Sequence, residues 1–255
     1  MRPALRQALH RFGAPAGAIL LLIALWQALT AWARVPGWLL PSPQAVLSAA
    51  WTHRDLLPGH AGATLLETLL GLAVALLVAL PLATLVVWSP LLRRTLYPLI
   101  LGLQSVPKVA LAPLFLVWAG YGMPSKVLIV ASIAFFPIVV DTITGLAIVD
   151  RDLLGMFKVL RASTLQTFLK VRLPAALPYF FSGTKVAVTL AVIGAVVGEF
   201  VGSDVGLGYL VQVSGSQINT AMMFVSIILL SLMGAILFEI VELIERLVCP
   251  WSVVE

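Results

Sequence analysis

Charged residues are scarce in this sequence, and no long polar stretch interrupts it. Only 11% of the 255 residues are charged, 61% are hydrophobic, and the mean hydropathy is +1.07. A soluble domain of this composition would expose large apolar patches to water. No polar stretch reaches about 50 residues, the lower limit for an ordinary domain. The composition predicts an all-α, polytopic membrane protein, with residues 1–255 forming one transmembrane domain.

Groups that carry enzyme chemistry are also few. Cys249 is the one cysteine, so an internal disulfide is excluded. The three histidines are His10, His53 and His60, and all lie outside the predicted spans. The sequence has no HExxH or CxxC metal motif and no GxxxxGK[ST] phosphate loop. We therefore expect no metal, no cofactor, no enzymatic activity and no ATP hydrolysis by this chain alone.

Apolar runs of about 20 residues, long enough to cross a hydrocarbon core of ~30 Å, predict six transmembrane helices. Arg2, Arg6 and Arg11 precede the first run, a pattern that also resembles a signal peptide, but we interpret the run as an additional N-terminal span. Pro107 and Pro113 should break the third span. The predicted spans are residues 14–33, 63–87, 96–118, 126–149, 184–203 and 222–246.

The distribution of Lys and Arg between the connecting loops predicts the orientation, because cytoplasmic loops carry the positive excess. Eleven such residues fall on one side and three, Arg34, Arg54 and Lys126, on the other. Both termini and the loop 150–183 should therefore be cytoplasmic. Topology explains the net charge of +5, so we do not expect nucleic-acid binding. The eleven are Arg2, Arg6, Arg11, Arg93, Arg94, Arg151, Lys158, Arg161, Lys170, Arg172 and Arg246.

The predicted cytoplasmic loop contains the stretch RDLLGMFKVLRASTLQTFLKVRLPAALPYF. It predicts a short helix at about 153–160, a break at 161–163 and a second helix at about 164–172, after which Pro174 and Pro178 should steer the chain into the bilayer. One face of the first helix should carry apolar side chains, and this face could dock into a partner protein or lie on anionic headgroups. The face consists of Leu153, Leu154, Phe157 and Leu160.

This loop and the following FFSGTKVAVTLAVIGAVVGEFVGSDVGLGYL resemble the inner-membrane permeases of bacterial ABC importers, in the branch of nitrate, sulfonate and taurine permeases. The family's Glu-Ala-Ala positions are occupied by Gly155, Met156 and Phe157, and Arg161 replaces the usual Gly. The resemblance covers about residues 60–248 and implies the type I permease fold, with 150–183 as the loop of the coupling helix. It assigns ATPase coupling to Gly155, Met156, Phe157, Lys158, Leu160, Arg161, Ala162, Leu173 and Pro174.

The same resemblance implies partners and a substrate class. The expected partners are a separate ATPase subunit that binds the ATP, an extracytoplasmic solute-binding protein, a second permease copy forming a homodimer, and the lipid of the bacterial inner membrane. LQSVPKVALAPLFLVWAGYG (residues 101–122) and AFFPIVVDTITGL (residues 134–146) look closest to permeases for hydroxymethylpyrimidine-type thiamine precursors or riboflavin. The solute would be a small polar molecule of this kind, or a sulfonate, taurine or nitrate.

Ionisable residues within the predicted spans are candidates for the translocation path, because such groups are costly in lipid. They are Lys108, Asp141 and Glu199. Lys108 could instead form a structural ion pair with Asp141 or Glu199. Glu67 lies near the end of its span and should reach water. These intramembrane charges would also suit a self-contained secondary carrier, although we find no internal repeat of the kind common in that class.

Small residues recur every four positions along the fifth predicted span. Gly194, Gly198 and Gly202 form one row, which should allow close helix packing within or between subunits. The following GLGYL, Gly206 to Leu210, is where the resemblance implies a surface for the binding protein, beside Asp204.

Overall fold

The computed structural model describes residues 3–32 and 35–251; the predicted positive residues Arg2 and Arg34 lie outside these ranges. All regular structure in the described residues is helical. The α-helices are α1 Pro3–Trp32, α2 Pro43–Thr52, α3 Leu57–Trp88, α4 Pro90–Gln104, α5 Ala112–Ala119, α6 Met123–Ala147, α7 Arg151–Val159, α8 Thr164–Thr167, α9 Leu173–Gly202, α10 Leu207–Ser216 and α11 Thr220–Val248. A 3₁₀ turn, Lys108–Leu111, precedes α5, and a π turn, Phe168–Arg172, joins α8 to α9.

Four continuous helices in the described ranges are long and apolar enough to cross a membrane: α3, α6, α11 and the 39 residues from Thr164 to Gly202. A fifth span is possible if α4 and the helical segment Lys108–Ala119 count as one, although they meet at 89°. This sharp bend includes Pro107, as the sequence predicts, whereas Pro113 lies in the first turn of α5 and does not interrupt that helix. Gly17–Trp32 is a shorter apolar helical stretch. The all-α membrane fold is confirmed, and the count of six spans stays a prediction.

The chain divides into two compact units. One contains the residues up to Pro58 together with Leu210–Ile228, and the other contains Gly59–Tyr209 and the residues from Leu229 onward. In the first unit, Ser42 caps α2 by accepting the N–H of Ala45 at 3.2 Å, with Pro43 in the first turn. This is the short helix expected from Ser-Pro at these positions.

The second unit is built around α6 and α9, which form its main helix pair. Alanines at its centre, including Ala79, Ala134 and Ala191, are fully buried, while large apolar side chains such as Leu77 on α3 are exposed. A small-residue interior lets helices approach closely, and an apolar exterior suits lipid contact. The prediction of one domain over residues 1–255 remains untested.

Candidate functional site

Helix α7 has a defined beginning and end. Asp150 accepts the N–H of Asp152 at 2.8 Å, which caps the first turn. At the other end, the N–H of Ala162 donates to the carbonyl of Phe157 at 3.0 Å and the N–H of Arg161 donates to that of Lys158 at 3.1 Å. These two bonds form a Schellman motif, whose left-handed position is usually glycine. Arg161 occupies that position with φ of 54°.

The apolar side chains of α7 point to two sides. Leu154 and Phe157 are half-buried and line cavities that α7 forms with the chain beside it; the cavity next to Phe157 measures about 420 Å³. Met156, Val159 and Leu160 are 50%, 83% and 68% exposed. The single apolar face predicted from the sequence is therefore divided. Val159 was absent from the predicted set, although its spacing of three from Met156 places both on the exposed side.

After the break that follows α7, the chain runs from α8 into α9 as one continuous helix. Ser163 and Gln166 form a capping box at α8, and the helix then continues through the π turn into α9. The two prolines expected to steer the chain into the bilayer lie in α9: Pro174 is in its first turn, and Pro178 is within this helix. The π turn just before Pro174 shifts the hydrogen-bond ladder where proline lacks a donor. Leu173 is 38% exposed at the start of α9.

Lys108 lies at the sharp bend between α4 and α5. Its Nζ donates to the carbonyl of Gln104 at 2.7 Å and lies 4.4 Å from the ring centre of Phe136 on α6. Asp141 lies five residues after Phe136 along α6 and is half-buried beside Gly183 of α9. A Cβ added to Gly183 would lie 2.9 Å from the Asp141 Cβ. No ion pair in the described residues joins Lys108 to Asp141 or Glu199, so the alternative of a structural bridge within one chain is wrong.

A buried ion pair joins α3 to α6. Lys126 Nζ lies 2.6 Å from Glu67 Oε1, and the two side chains are only 7% and 1% exposed. The same ammonium donates to Ser203 Oγ at 2.6 Å. The expectation that Glu67 reaches water is therefore wrong, and Lys126 is part of helix α6 rather than an exposed loop. The sequence showed both charges but offered no spacing that would pair residues 59 positions apart.

Glu199 is fully buried near the end of α9. It accepts hydrogen bonds from the hydroxyl of Thr64 at 2.6 Å and from the backbone N–H groups of Gly208 and Tyr209. Its carboxylate is therefore occupied by the protein itself rather than turned towards a solute path. Lys108 and Asp141 lie elsewhere, so the structure does not bring the three predicted path residues together in one chain.

The predicted glycine row of α9 lies against other helices of the same unit. An added Cβ would come within 3.0 Å of the Val130 Cα at Gly194 and within 3.4 Å of the Lys126 Cα at Gly198. At Gly202 it would come within 2.9 Å of a methyl carbon of Leu116. These distances place all three glycines at contacts where a larger residue would need to displace a neighbour.

Comparison with known proteins decides the family. Residues 68–249 match the family described as "Binding-protein-dependent transport system inner membrane component". The chain belongs to this family of ABC-transporter permeases. It is 36% identical over 233 residues to the formylaminopyrimidine transport permease protein ThiX of Halalkalibacterium halodurans, covering 91% of this chain and 93% of that protein. It is also 36% identical over 252 residues to the riboflavin transport system permease protein RibX of Chloroflexus aurantiacus, and this match covers 96% of this chain and 94% of that protein.

The fold of the permease agrees with a solved transporter. An inward-facing structure of the MetNI methionine ABC transporter matches with a TM-score of 0.66 and 21% identity, covering 76% of this chain and 95% of that one. This likeness supports the fold. The family is one of transport proteins, and no cluster of three metal-ligating side chains occurs in the part of the permease that the structure describes.

Proposed function

We propose that this permease is the membrane subunit of an importer, driven by a separate ATPase subunit that docks on α7. An extracytoplasmic solute-binding protein would deliver the solute on the opposite side, and two permease copies would enclose the path. The description of the family as binding-protein-dependent supports the delivery step. With the buried Lys126 set aside, the positive excess is eleven residues against Arg34 and Arg54, which supports a cytoplasmic position for α7 and both termini.

The observation that carries this proposal is the exposed apolar side of α7. Met156 and Val159 project from the nine residues of α7, Leu160 projects from the C-cap position, and Gly155 leaves open space beside them. Leu154 and Phe157 hold the opposite side of this helix against the rest of the chain. A short helix that is anchored on one side and apolar on the other suits docking into a groove of a partner. Lys158 and the Schellman turn at Arg161 would fix its orientation.

Lys108 and Asp141 are the residues that we propose for the solute path. Both are half-buried, and neither forms an ion pair in the described chain. Charged groups within a membrane protein usually face an interior or a water-filled cavity. In the proposed pair of copies, the bend at Pro107 would face this space, where interrupted backbone hydrogen bonding is tolerated. Glu199 is left out because its oxygens are held by Thr64, Gly208 and Tyr209.

The proposed solute is a small, flat nitrogen heterocycle. Two relatives of comparable similarity are named for transport of formylaminopyrimidine and of riboflavin, and both solutes contain such rings. Phe136 is a half-buried aromatic residue beside Lys108 and could stack on a planar ring. A sulfonate, taurine or nitrate would need charge neutralisation instead, so uptake assays with these anions separate the two substrate classes.

Co-purification with the ATPase subunit of the proposed importer tests the docking site. We compare the native chain with a Val159→Asp, Leu160→Asp variant and with Leu165→Asp, which adds a charge to an exposed position of α8 in the same loop. Burial of two such side chains contributes at least about 3 kcal/mol, so the double variant should bind about 100-fold more weakly or worse. Leu165→Asp should retain binding.

Each other outcome contradicts the proposal. Equal binding by the native and double-variant chains would place docking away from α7. If the native chain binds no ATPase while still transporting solute in vesicles, the secondary-carrier alternative replaces the importer.

A further inference from the structure

Four consecutive backbone N–H groups at the start of α10 are bonded by side chains of other helices. The N–H of Gly206 donates to His60 Nδ1 at 2.9 Å, and that of Leu207 donates to Thr64 Oγ1 at 2.8 Å. Those of Gly208 and Tyr209 donate to Glu199 Oε2. The first N–H groups of a helix have no partner within it. Here α3 and α9 supply those partners, and we refer to His60, Thr64 and Glu199 as the α10 cap.

The backbone of Gly206–Gly208 passes close to the carboxylate of Glu199. An added Cβ at Gly206 would lie 2.1 Å from the Glu199 Cδ, and one at Gly208 would lie 2.7 Å from its Oε2. Gly206 also has φ of +128°, a conformation that residues with a side chain rarely adopt. A negative charge at the first turn of a helix is further stabilised by the helix dipole. The backbone here can approach the carboxylate because both positions lack a side chain.

The other end of the same segment is held separately. Ser203 Oγ accepts from Lys126 Nζ and donates to the carbonyl of Val205 at 2.5 Å. Lys126 and the α10 cap therefore fix both ends of Ser203–Tyr209. Between these fixed ends, Asp204 and Val205 remain exposed.

Buried polar groups of this kind are costly unless each one is satisfied, so a plain apolar contact would connect these helices at lower cost.

The helix Thr164–Gly202 measures about 58 Å at 1.5 Å per residue, nearly twice the hydrocarbon thickness of ~30 Å. If this helix spans the bilayer, its length would place Ser203–Tyr209 on the opposite membrane side from α7.

We propose that the α10 cap is a positioning device that sets Ser203–Tyr209 in the shape that the loaded solute-binding protein contacts. The inference rests on the proposed function, because only a binding-protein-dependent importer receives its solute in this way. Thr64 is the central residue, since its hydroxyl bonds both Glu199 and Leu207. Loss of the cap should weaken capture of the binding protein and leave the maximal rate of ATP hydrolysis intact.

The test uses the full transporter, reconstituted in lipid nanodiscs with its ATPase. ATP hydrolysis is measured against the concentration of the solute-binding protein of the proposed importer, loaded separately with formylaminopyrimidine or riboflavin. Thr64→Val removes the hydroxyl at nearly constant size and should raise the half-maximal concentration at least fivefold, with the maximal rate within twofold of native. Thr64→Ser keeps the hydroxyl and should restore the native value.

Thr68→Val is the matched control. Thr68 is as deeply buried on the same helix, but its hydroxyl bonds only the carbonyl of Thr64. An unchanged half-maximal concentration in Thr64→Val, or an equal shift in Thr68→Val, would overturn the inference. If Thr64→Val does not assemble, Asp204→Lys alters the exposed contact directly, and native-like stimulation would again refute it.

Failure of the proposed function gives a different result. In that case the native transporter itself shows no stimulation by either loaded form of the binding protein, before any variant is compared.

Discussion

Lys126 forms a buried ion pair with Glu67 and also attracts the buried carboxylate of Glu199. Because one cation serves two carboxylates, replacing Lys126 should destabilise the permease more than replacing Glu67. The Lys126 Nζ contacts Glu67 Oε1 at 2.6 Å. Glu67 and Glu199 in turn repel each other. Lys126→Met therefore leaves two buried acids without a cation. Glu67→Gln leaves Lys126 with Glu199 and with the hydroxyl of Ser203.

The expected costs follow from these partners. Removing one member of a buried ion pair typically costs about 3–5 kcal/mol, because the other charge remains buried. Loss of a charge-assisted hydrogen bond alone costs about 1.5–3 kcal/mol. We therefore expect Lys126→Met to destabilise the permease by about 3–5 kcal/mol and Glu67→Gln by less than about 3 kcal/mol. The double variant should be more stable than Lys126→Met alone, since one uncompensated carboxylate is gone.

Thermal unfolding in detergent, followed by intrinsic tryptophan fluorescence, measures these differences. At about 2–4 °C per kcal/mol for a chain of this size, Lys126→Met should lower the Tm by roughly 6–20 °C. Lys185→Met is a useful comparison, because the ion pair of Lys185 with Glu245 is only partly buried and should matter less. A Tm for Glu67→Gln equal to or below that of Lys126→Met would refute the reasoning.

Two further predictions concern the backbone. Arg161→Gly should preserve binding of the ATPase subunit. It should stabilise the loop by at most about 1 kcal/mol, because relief of the backbone strain at φ 54° is offset by the greater conformational freedom of glycine in the unfolded chain. Arg161→Val, branched at Cβ, should increase proteolysis of the loop, and equal proteolysis of both variants would contradict this. Gly71→Ala should lower the Tm, since the new Cβ would lie 2.3 Å from the Val130 Cβ. Gly234→Ala on α11 meets open space and should leave the Tm unchanged or raise it by a few degrees.

Local sequence signals predicted the local structure well. Ser42-Pro43 marked the start of α2, Pro107 marked the bend before α5, and the break after α7 falls where the sequence placed it. These features depend on dihedral limits and capping groups within a few residues, which the sequence shows directly.

Long-range pairing was not accessible from the sequence. Hydropathy assigns Glu67, Lys126 and Glu199 to positions along their spans but does not say which side of each helix meets which neighbour. The bonds of Thr64 to Glu199 and of His60 to Gly206 join residues 135 and 146 positions apart. The continuity of the helix through Pro174 was also not accessible, since it depends on a shifted hydrogen-bond ladder that accommodates proline.

The π turn Phe168–Arg172 also bears on how the gene can change. A π turn holds one residue more than an α-helical turn would need over the same length. Deleting a single codon there could restore a regular α-helix and leave α7 in nearly the same rotational position relative to α9, because the wider turn absorbs the extra residue. A deletion in the regular part of α9 would instead rotate one half of that helix by about 100° relative to the other. The chain at this turn can therefore lose one residue without redirecting the exposed apolar side chains of α7, and single-codon deletions should be better tolerated there than within α9.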